Sequence, residues 1–387
     1  MSMCISVWLR PDVPPVNQLL PMSPPQDPAR IDAITGLRGL AALLVVYAHS
    51  VEWFKWPPGY YFSGDIGVMI FFALSGFLMA YLYLAKPFSV ARLAEYGIHR
   101  FARIAPAYLF ILLLSVLICA FVDPQFVYAI TGQNLLRHIL FSGDVSVFWS
   151  ITPEVEFYFL FVLIWVATSR YAARANVAGL AMLAFALLLL MAFRDVFPGT
   201  FIASKLHYFL FGVIAGALRV HLKSSRLVPG RLNFLHGVLI VAIVLAVVLM
   251  VLGYGNELLP FENDDALYSS LLPAAFSAFL VFCFSMPSAL GNVFFANKAI
   301  VLCGECSFSI YLLHMPVIYF FHKYFSVPLP LIWLLPFLLL IFGLAWLNYR
   351  LVERPGARLI KAAGYLFQRK FMPADARLRA GKLLRVG

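Results

Sequence analysis

Charged residues are scarce in this chain of 387 residues: Asp, Glu, Lys and Arg together make up 12%. Soluble domains carry about 25%, so a water-soluble globule of this length would lack polar surface. The alternating segments of about ten residues that are typical of an outer-membrane barrel are also absent. The apolar residues, 63% of the chain, come instead in long blocks, which indicate membrane-spanning helices.

Cysteine is scarce as well, with five residues that suggest no disulfide framework. Cys303 and Cys306 have a metal-like spacing, but no second pair completes a zinc site, and we interpret them as packing residues. We expect no metal site elsewhere, because the intramembrane His and acidic residues lie on different spans. There is no phosphate-cradling glycine-rich loop and no nucleic-acid module, so nucleotide hydrolysis and nucleic-acid binding are not expected.

Blocks of about 20 apolar residues are long enough to cross a bilayer as helices. Ten candidates occur along the chain, and the segment 135–149 adds a short interfacial helix. The candidates are 34–52, 65–84, 104–122, 150–168, 176–193, 201–219, 233–253, 267–286, 299–320 and 330–349. We therefore predict an all-α, polytopic membrane protein of about ten transmembrane helices, whose membrane domain covers 31–356.

The basic residues indicate how the chain is oriented. Lys and Arg number 29 against 18 acidic residues, and most of them fall on one side if the N-terminus lies inside. By the positive-inside rule, both termini are predicted to be cytoplasmic. Residues 1–30, rich in proline and without the pattern of a cleaved signal peptide, are expected to form a mobile tail. Residues 357–387 are expected to form a basic cytoplasmic tail that is either solvated or bound to anionic lipid.

Ionisable side chains inside the predicted spans are functional candidates, because a charge in hydrocarbon costs several kcal/mol. Arg38 and His49 lie about three helical turns apart on one face of the first span, separated by about 16 Å along its axis. Glu154 begins the fourth span and His314 lies in the ninth, and by depth both fall in the same half as His49. Structural roles fit the spacing equally well: a snorkelling arginine, a helix-capping acid and histidines bonded to carbonyls.

Two further basic residues, Arg100 and Arg103, lie one turn apart at the start of the third span, in the segment HRFARIAP. Positive-inside bias alone accounts for basic residues at this position. The functional interpretation is a binding site for phosphate groups, which arginine binds in bidentate fashion.

Four segments together resemble the acyltransferase type 3 family of integral membrane enzymes, which includes bacterial O-acetyltransferases of polysaccharides and glycolipids. They are RIDAITGLRGLAALLVVYAH, FFALSGFLM followed by HRFARIAPAY, FWSITPEVEFYFLF, and CSFSIYLLHMP closed by LVERP. The resemblance runs from about residue 30 to 356. It implies a single-domain member in the bacterial inner membrane. It also implies a cytoplasmic acyl-CoA donor, acetyl-CoA or a longer one, and a glycan or glycolipid acceptor.

The resemblance also implies roles for the motif residues. The donor phosphates would bind to Arg38, Arg100 and Arg103, with the pantetheine arm running along the first span. We hypothesise that neutral His49 removes the proton from the acceptor hydroxyl as that oxygen attacks the thioester. Glu154 would orient the imidazole or stabilise its charge. A two-step variant, in which His49 first carries the acyl group, fits the sequence equally well.

Three further motif residues are predicted at the same site. Ser307, Tyr311 and His314 would position the acceptor or the developing oxyanion. His314 is also a catalytic candidate, together with His49 and Glu154. Two other classes of function stay open: a transporter or exporter of a polysaccharide-related molecule, and a catalytically silent partner in polysaccharide assembly. The sequence has no signature of the acceptor's identity or of the oligomeric state.

Overall fold

A computed structural model describes residues 31–56, 63–222, 229–251, 264–325 and 327–371. These residues form helices and turns with no strand among them, which confirms the all-α prediction, while the predicted tail over 1–30 lies outside them. The α-helices, numbered along the chain, are α1 (Asp32–Phe54), α2 (Ser63–Met79), α3 (Val90–Phe121), α4 (Leu135–Ile139), α5 (Ile151–Arg174), α6 (Val177–Ala192), α7 (Ile202–His221), α8 (Pro229–Val251), α9 (Asp264–Ser269), α10 (Leu271–Phe284), α11 (Ala289–Phe295), α12 (Lys298–Glu305), α13 (Ser307–Tyr324), α14 (Leu334–Asn348) and α15 (Arg354–Phe371).

Helix length and hydropathy identify fewer membrane crossings than the ten predicted. Among the described residues, five helices are long and apolar enough to cross a bilayer. They are α1, α2 with its extension to Leu84, α3, α5 with the turn before it, and α14 continued into α15. Two further pairs, α10 with α11 and α12 with α13, qualify if each counts as one span, although they bend by 108° and 70°. The count of ten and the orientation of the termini stay predictions.

The ninth predicted span, 299–320, consists of two helices instead of one. α12 ends at Glu305 and α13 begins at Ser307, with the bend between them. A Cβ on Gly304 would overlap the backbone carbonyl of Thr35 in α1. Glycine therefore permits the break to lie directly against the first helix, which carries two of the predicted site residues.

Close contact between α2 and α7 holds the centre of the bundle together. A Cβ on Gly76 of α2 would overlap the backbone carbonyl of Phe209 in α7, and a Cβ on Gly212 of α7 would overlap the carbonyl of Ala73. Small residues at such positions let two helix backbones approach each other within a membrane. This contact fixes the helix that presents Ser75 to the site described below.

The connection between α3 and α5 turns back into the bundle. α3 ends at Phe121, about 20 Å of helical rise beyond Tyr108. The ring of Phe141 nevertheless lies on the ring of Tyr108, with 4.7 Å between centroids, and the Tyr108 hydroxyl donates to the carbonyl of His138 (2.8 Å). The chain therefore runs back along α3, and we call residues 123–150 the return segment.

The return segment corrects the prediction of one interfacial helix over 135–149. Only the short α4 and a 3₁₀ turn over Ser146–Ser150 are helical in it. The side chains of Val147 and Phe148 are buried, and the Tyr128 hydroxyl donates to a backbone carbonyl of α13 (2.8 Å). The segment is thus part of the packed interior, because its aromatic residues fill the space between α3 and α13.

The chain continues as a helix beyond the last predicted span. α14 passes through a π-helical turn, Tyr349–Glu353, into α15. The first part of the predicted basic tail over 357–387 is therefore helical, as far as Phe371. α15 lies along the N-terminal half of α3, where the hydroxyl of Tyr365 is 2.8 Å from Nε2 of His99.

Candidate active site

A cavity lies among the first turns of α1, the middle of α2 and the starts of α5 and α13. Its volume is about 90 Å³, which admits several water molecules but is below the roughly 300–1,000 Å³ of small-molecule sites. Six of the eight predicted site residues line it: Arg38, Arg100, Arg103, Glu154, Ser307 and Tyr311. The structure thus brings together residues that are more than 250 positions apart in the sequence.

Arg103 is paired inside the protein. Its Nη1 donates to Oε1 of Glu353, and Oε2 of the same carboxylate accepts from Ser309 Oγ (2.8 Å), which in turn accepts from Asn348 Nδ2 (2.9 Å). The Glu353 side chain is 5% exposed and that of Arg103 is 29% exposed. A buried carboxylate needs such partners, because removal from water is costly. An anionic ligand at Arg103 would therefore compete with an internal counter-ion.

Arg38 and Arg100 differ from Arg103 in this respect. Arg38 Nη2 donates to Ser307 Oγ (3.2 Å). The Arg100 guanidinium lies over the ring of Tyr158 at 5.8 Å, and its Nε is buried without a hydrogen-bond partner. Among the described residues, neither arginine has a carboxylate partner. These two cations are therefore available to an anionic ligand.

Glu154 lies with the arginines and not beside His49. Its Oε1 accepts from the hydroxyl of Tyr158 (2.7 Å) and from Ser75 Oγ (3.4 Å). No contact joins it to His49 in the described part of the chain. The return segment explains this correction, because it carries the start of α5 back from the far end of α3 to the level of Arg38. In this structure Glu154 is therefore bonded to Tyr158 and Ser75 instead of the imidazole, and its catalytic role stays a prediction.

His49 and His314 contact each other, as their predicted depth suggests. Nδ1 of His49 lies 3.0 Å from the carbonyl of Val45 and 3.3 Å from Nε2 of His314. Nδ1 of His314 lies 3.3 Å from the carbonyl of Ile310. His314 is fully buried, and His49 is partly exposed. The second imidazole thus occupies the place that the sequence analysis gave to the acid.

These contacts assign the protons of the two neutral rings. A carbonyl only accepts, so the hydrogen bonds to Val45 and Ile310 require the proton on Nδ1 in both rings. The single Nδ1–H of His49 is then shared between the carbonyl of Val45 (3.0 Å) and Nε2 of His314 (3.3 Å). Nε2 of His49 remains unprotonated, and it is neither bonded to a described residue nor fully enclosed. This nitrogen can accept a proton from a ligand.

Tyr311 connects the cavity with the histidine pair. Its side chain lines the cavity, and its ring centroid is 5.7 Å from that of His314, one turn further along α13. Its hydroxyl is 2.7 Å from Ser150 Oγ and donates to the carbonyl of Val147 (3.1 Å) in the return segment. Tyr311 therefore lies between the cavity and the histidine pair, neither of whose members lines the cavity.

Comparison with known proteins decides the family. The profile of a family described as an acyltransferase domain matches residues 31–350, which include all eight predicted site residues. This chain belongs to the acyltransferase type 3 family. No solved structure shows a match to it.

Several relatives of this chain are named O-acetyltransferases. The peptidoglycan O-acetyltransferase OatA of Listeria monocytogenes is 26% identical over 84% of this chain and 55% of its own length. The O-acetyltransferase OatA of Staphylococcus aureus strain NCTC 8325 is 23% identical over 85% of this chain and 57% of its own. A putative O-acetyltransferase of Staphylococcus aureus strain COL is 24% identical over 84% and 57%. The chain therefore spans little more than half the length of the curated relatives it matches.

Two contact residues of the candidate site were not identified from the sequence. Tyr158 lies one turn after Glu154 in the same motif, so helical spacing alone could have indicated it. Glu353 lies in the LVERP segment, beyond the last predicted span, so hydropathy did not indicate that its side chain is buried. No group of three His, Cys, Asp or Glu side chains suited to a metal occurs in the residues that the structure describes.

Proposed function

We propose that this acyltransferase transfers an acyl group, acetyl in the first instance, from acyl-CoA to a hydroxyl of a glycan or glycolipid. The observation that carries the proposal is the pair of imidazoles, in which Nδ1 of His49 contacts Val45 and His314 and Nε2 has no described partner, beside a cavity with two cations that lack carboxylate partners. The names of the relatives support an acetyl group and a hydroxyl acceptor, and the Listeria relative supports an acceptor in the cell envelope.

In the proposed mechanism, His49 is the general base. Its Nε2 takes the proton of the acceptor hydroxyl while that oxygen forms a bond to the thioester carbonyl carbon. The tetrahedral intermediate then breaks its carbon–sulfur bond, and the departing sulfur takes up the proton from His49. The products are the ester and the free thiol of CoA, with the imidazole neutral again. His314 is a positioning residue, because its contact with Nδ1 of His49, together with the carbonyl of Val45, holds the ring with Nε2 on the opposite side.

The donor phosphates are proposed to bind at Arg38 and Arg100, with Arg103 contributing less because of its internal partner. Ser307 contacts Arg38 and lies about 10 Å of helical rise from His314. It is therefore assigned to the donor phosphates and not to the developing oxyanion. The cavity is smaller than a whole CoA site, so we expect the surrounding helices to separate when the donor binds.

The topology predicted from the sequence belongs to this proposal. Ten spans in the bacterial inner membrane, with both termini cytoplasmic, would expose the arginine end of the cavity to cytoplasmic acyl-CoA. The histidine pair, about 16 Å further along α1, would then lie towards the opposite side, where a surface glycan is available. The five to seven apolar helices among the described residues support a multi-pass protein.

The test is acyl transfer by the purified protein in liposomes without an ion gradient, with radiolabelled acetyl-CoA and a cell-envelope glycan extract. Loss of a general base lowers turnover by roughly 100- to 10,000-fold, and we expect this for His49→Ala. The control is His322→Ala, on the exposed end of α13, which should retain wild-type turnover. Wild-type turnover by His49→Ala would exclude His49 as the general base. If neither the wild-type protein nor the His322→Ala control consumes acetyl-CoA, the proposed enzymatic activity is excluded.

A further inference from the structure

We propose that a groove between α3 and α5 binds one hydrocarbon chain of a membrane phospholipid, with the phosphate of its head group at Arg100. The groove has a volume of about 370 Å³, larger than the site cavity, and its walls are formed by apolar side chains of α3, α5 and the return segment. It shares Arg100, Ile104 and Tyr158 with the site cavity. The proposal concerns binding alone and does not need acyl transfer, although a phospholipid at Arg100 would compete with the donor phosphates proposed for the same side chain.

The rim of the groove consists of exposed apolar side chains. Phe101 of α3 is 50% exposed, Leu140 of the return segment 65% and Phe159 of α5 74%. Three large apolar side chains around one opening would be unfavourable in water, whereas a bilayer solvates them. The occupant available at such an opening at the highest concentration is the lipid itself.

The position of Arg100 along α3 matches the level of a lipid head group. α3 has 32 residues and is therefore about 48 Å long, whereas the hydrocarbon core is about 30 Å thick. With Phe121 at one boundary of the core, the other boundary falls near Phe101. Arg100 then lies at the head groups, and Phe101 and Ile104 lie at the first part of the chains. The groove thus has a polar end and an apolar body in the order that a phospholipid requires.

The polar end of the groove also provides a hydrogen-bond donor. Nε of Arg100 is buried and has no hydrogen-bond partner in the described part of the chain. A buried donor without a partner is destabilising, and a phosphate oxygen is the acceptor that a guanidinium binds best. A phospholipid satisfies this nitrogen and fills the apolar groove at the same time, whereas a soluble phosphate satisfies the nitrogen alone.

The experiment measures binding of dioleoyl phosphatidylglycerol to the purified full chain by native mass spectrometry. Gly97 lines the groove, and a Cβ there would meet nothing within 4 Å, so Gly97→Phe places a ring in the lipid's position. Val155→Phe fills the groove from the opposite helix. The matched control is Gly343→Phe in α14, another exposed helical glycine with nothing within 4 Å. We expect at least a tenfold loss of affinity in both groove variants and none in the control.

A second arm tests the phosphate contact. The wild-type protein should bind the phospholipid at least tenfold more tightly than dioleoylglycerol, which lacks the phosphate, and Arg100→Gln should remove that preference. Two results would overturn the proposal. One is wild-type phospholipid affinity in both groove variants while they unfold at the same temperature as the control. The other is an affinity of the wild-type protein for soluble glycerol phosphate equal to its affinity for the phospholipid, which would mean that the hydrocarbon chain contributes nothing.

Discussion

Glu353 should stabilise the fold chiefly by holding the charge of Arg103. Glu353→Gln keeps the shape of the side chain and an acceptor oxygen but removes the negative charge. Hydrogen bonds to charged groups contribute about 1.5–3 kcal/mol, and removal of one partner of a buried pair costs about 3–5 kcal/mol. Because Arg103 keeps 29% of its side chain exposed, water can solvate part of the guanidinium. We therefore expect a loss of about 2 kcal/mol in the free energy of unfolding.

The double variant separates the pair from the two single residues. With Arg103→Gln added, no buried charge is left uncompensated, so we expect the double variant to be at least about 1 kcal/mol more stable than the sum of the single losses. The chain offers a matched surface pair in Arg137 and Asp144, whose side chains are 57% and 43% exposed and lie 3.1 Å apart. Asp144→Asn should cost no more than about 1 kcal/mol.

The measurement is unfolding in mixed micelles with an increasing fraction of sodium dodecyl sulfate, followed by fluorescence of the seven tryptophans. All four variants are compared with the parent protein under one set of conditions. The reasoning is refuted if Glu353→Gln is no less stable than Asp144→Asn. It is also refuted if the losses of the two single variants simply add in the double variant.

Three further predictions concern the site, the bundle and the return segment. Tyr158→Phe removes the hydroxyl that donates to the cavity carboxylate, and we expect turnover in the liposome assay to fall about tenfold; unchanged turnover would contradict a role for this contact. Gly76→Ala should destabilise the bundle by about 1–3 kcal/mol, because the added Cβ overlaps a carbonyl of α7. The control Gly343→Ala, in open space, should change stability by less than about 1 kcal/mol. Equal stability of the two variants in the micelle assay would contradict the packing argument. Lys323 and a tyrosine hydroxyl, both hydrogen-bonded to Asp123, lower the pKa of its carboxyl to about 2. The contribution of this carboxylate to stability is therefore complete above about pH 4 and is lost as the pH falls towards 2. Between pH 5 and pH 3, the Asp123→Asn variant should thus lose less stability than the parent protein. Equal losses in the two proteins would contradict this role of Asp123.

The sequence predicted the site as far as each side chain could be placed by its own helix. Arg38 and His49 needed only the geometry of α1, and His314 needed only the depth of its span. The histidine contact follows from that depth. Glu154 was misplaced because its level depends on the return segment, whose path is set by aromatic packing between distant helices. A hydropathy pattern has no information on such packing.

The fold shows the same division between local and distant causes. The helical class follows directly from the apolar blocks, which is a local property. The bend before Ser307 does not, because it depends on the approach of Thr35 to Gly304 from another helix. Glu156 is a further example: its Oε2 accepts from the backbone N–H of Ile202 (2.7 Å), the first residue of α7. The partner of Glu156 lies two helices further along the chain, so the sequence around Glu156 could not predict it.

The position of Glu353 has a practical bearing on how the topology is mapped. Reporter fusions are commonly joined directly after the last apolar block, which here ends near Arg350. A fusion at that point would delete Glu353, the counter-ion of Arg103, and the whole of α15. The reporter would then give the topology of a chain in which the charge of Arg103 is unpaired. Fusion points after Phe371 keep both, and an accessibility label on a cysteine substituted within the intact chain avoids the problem entirely.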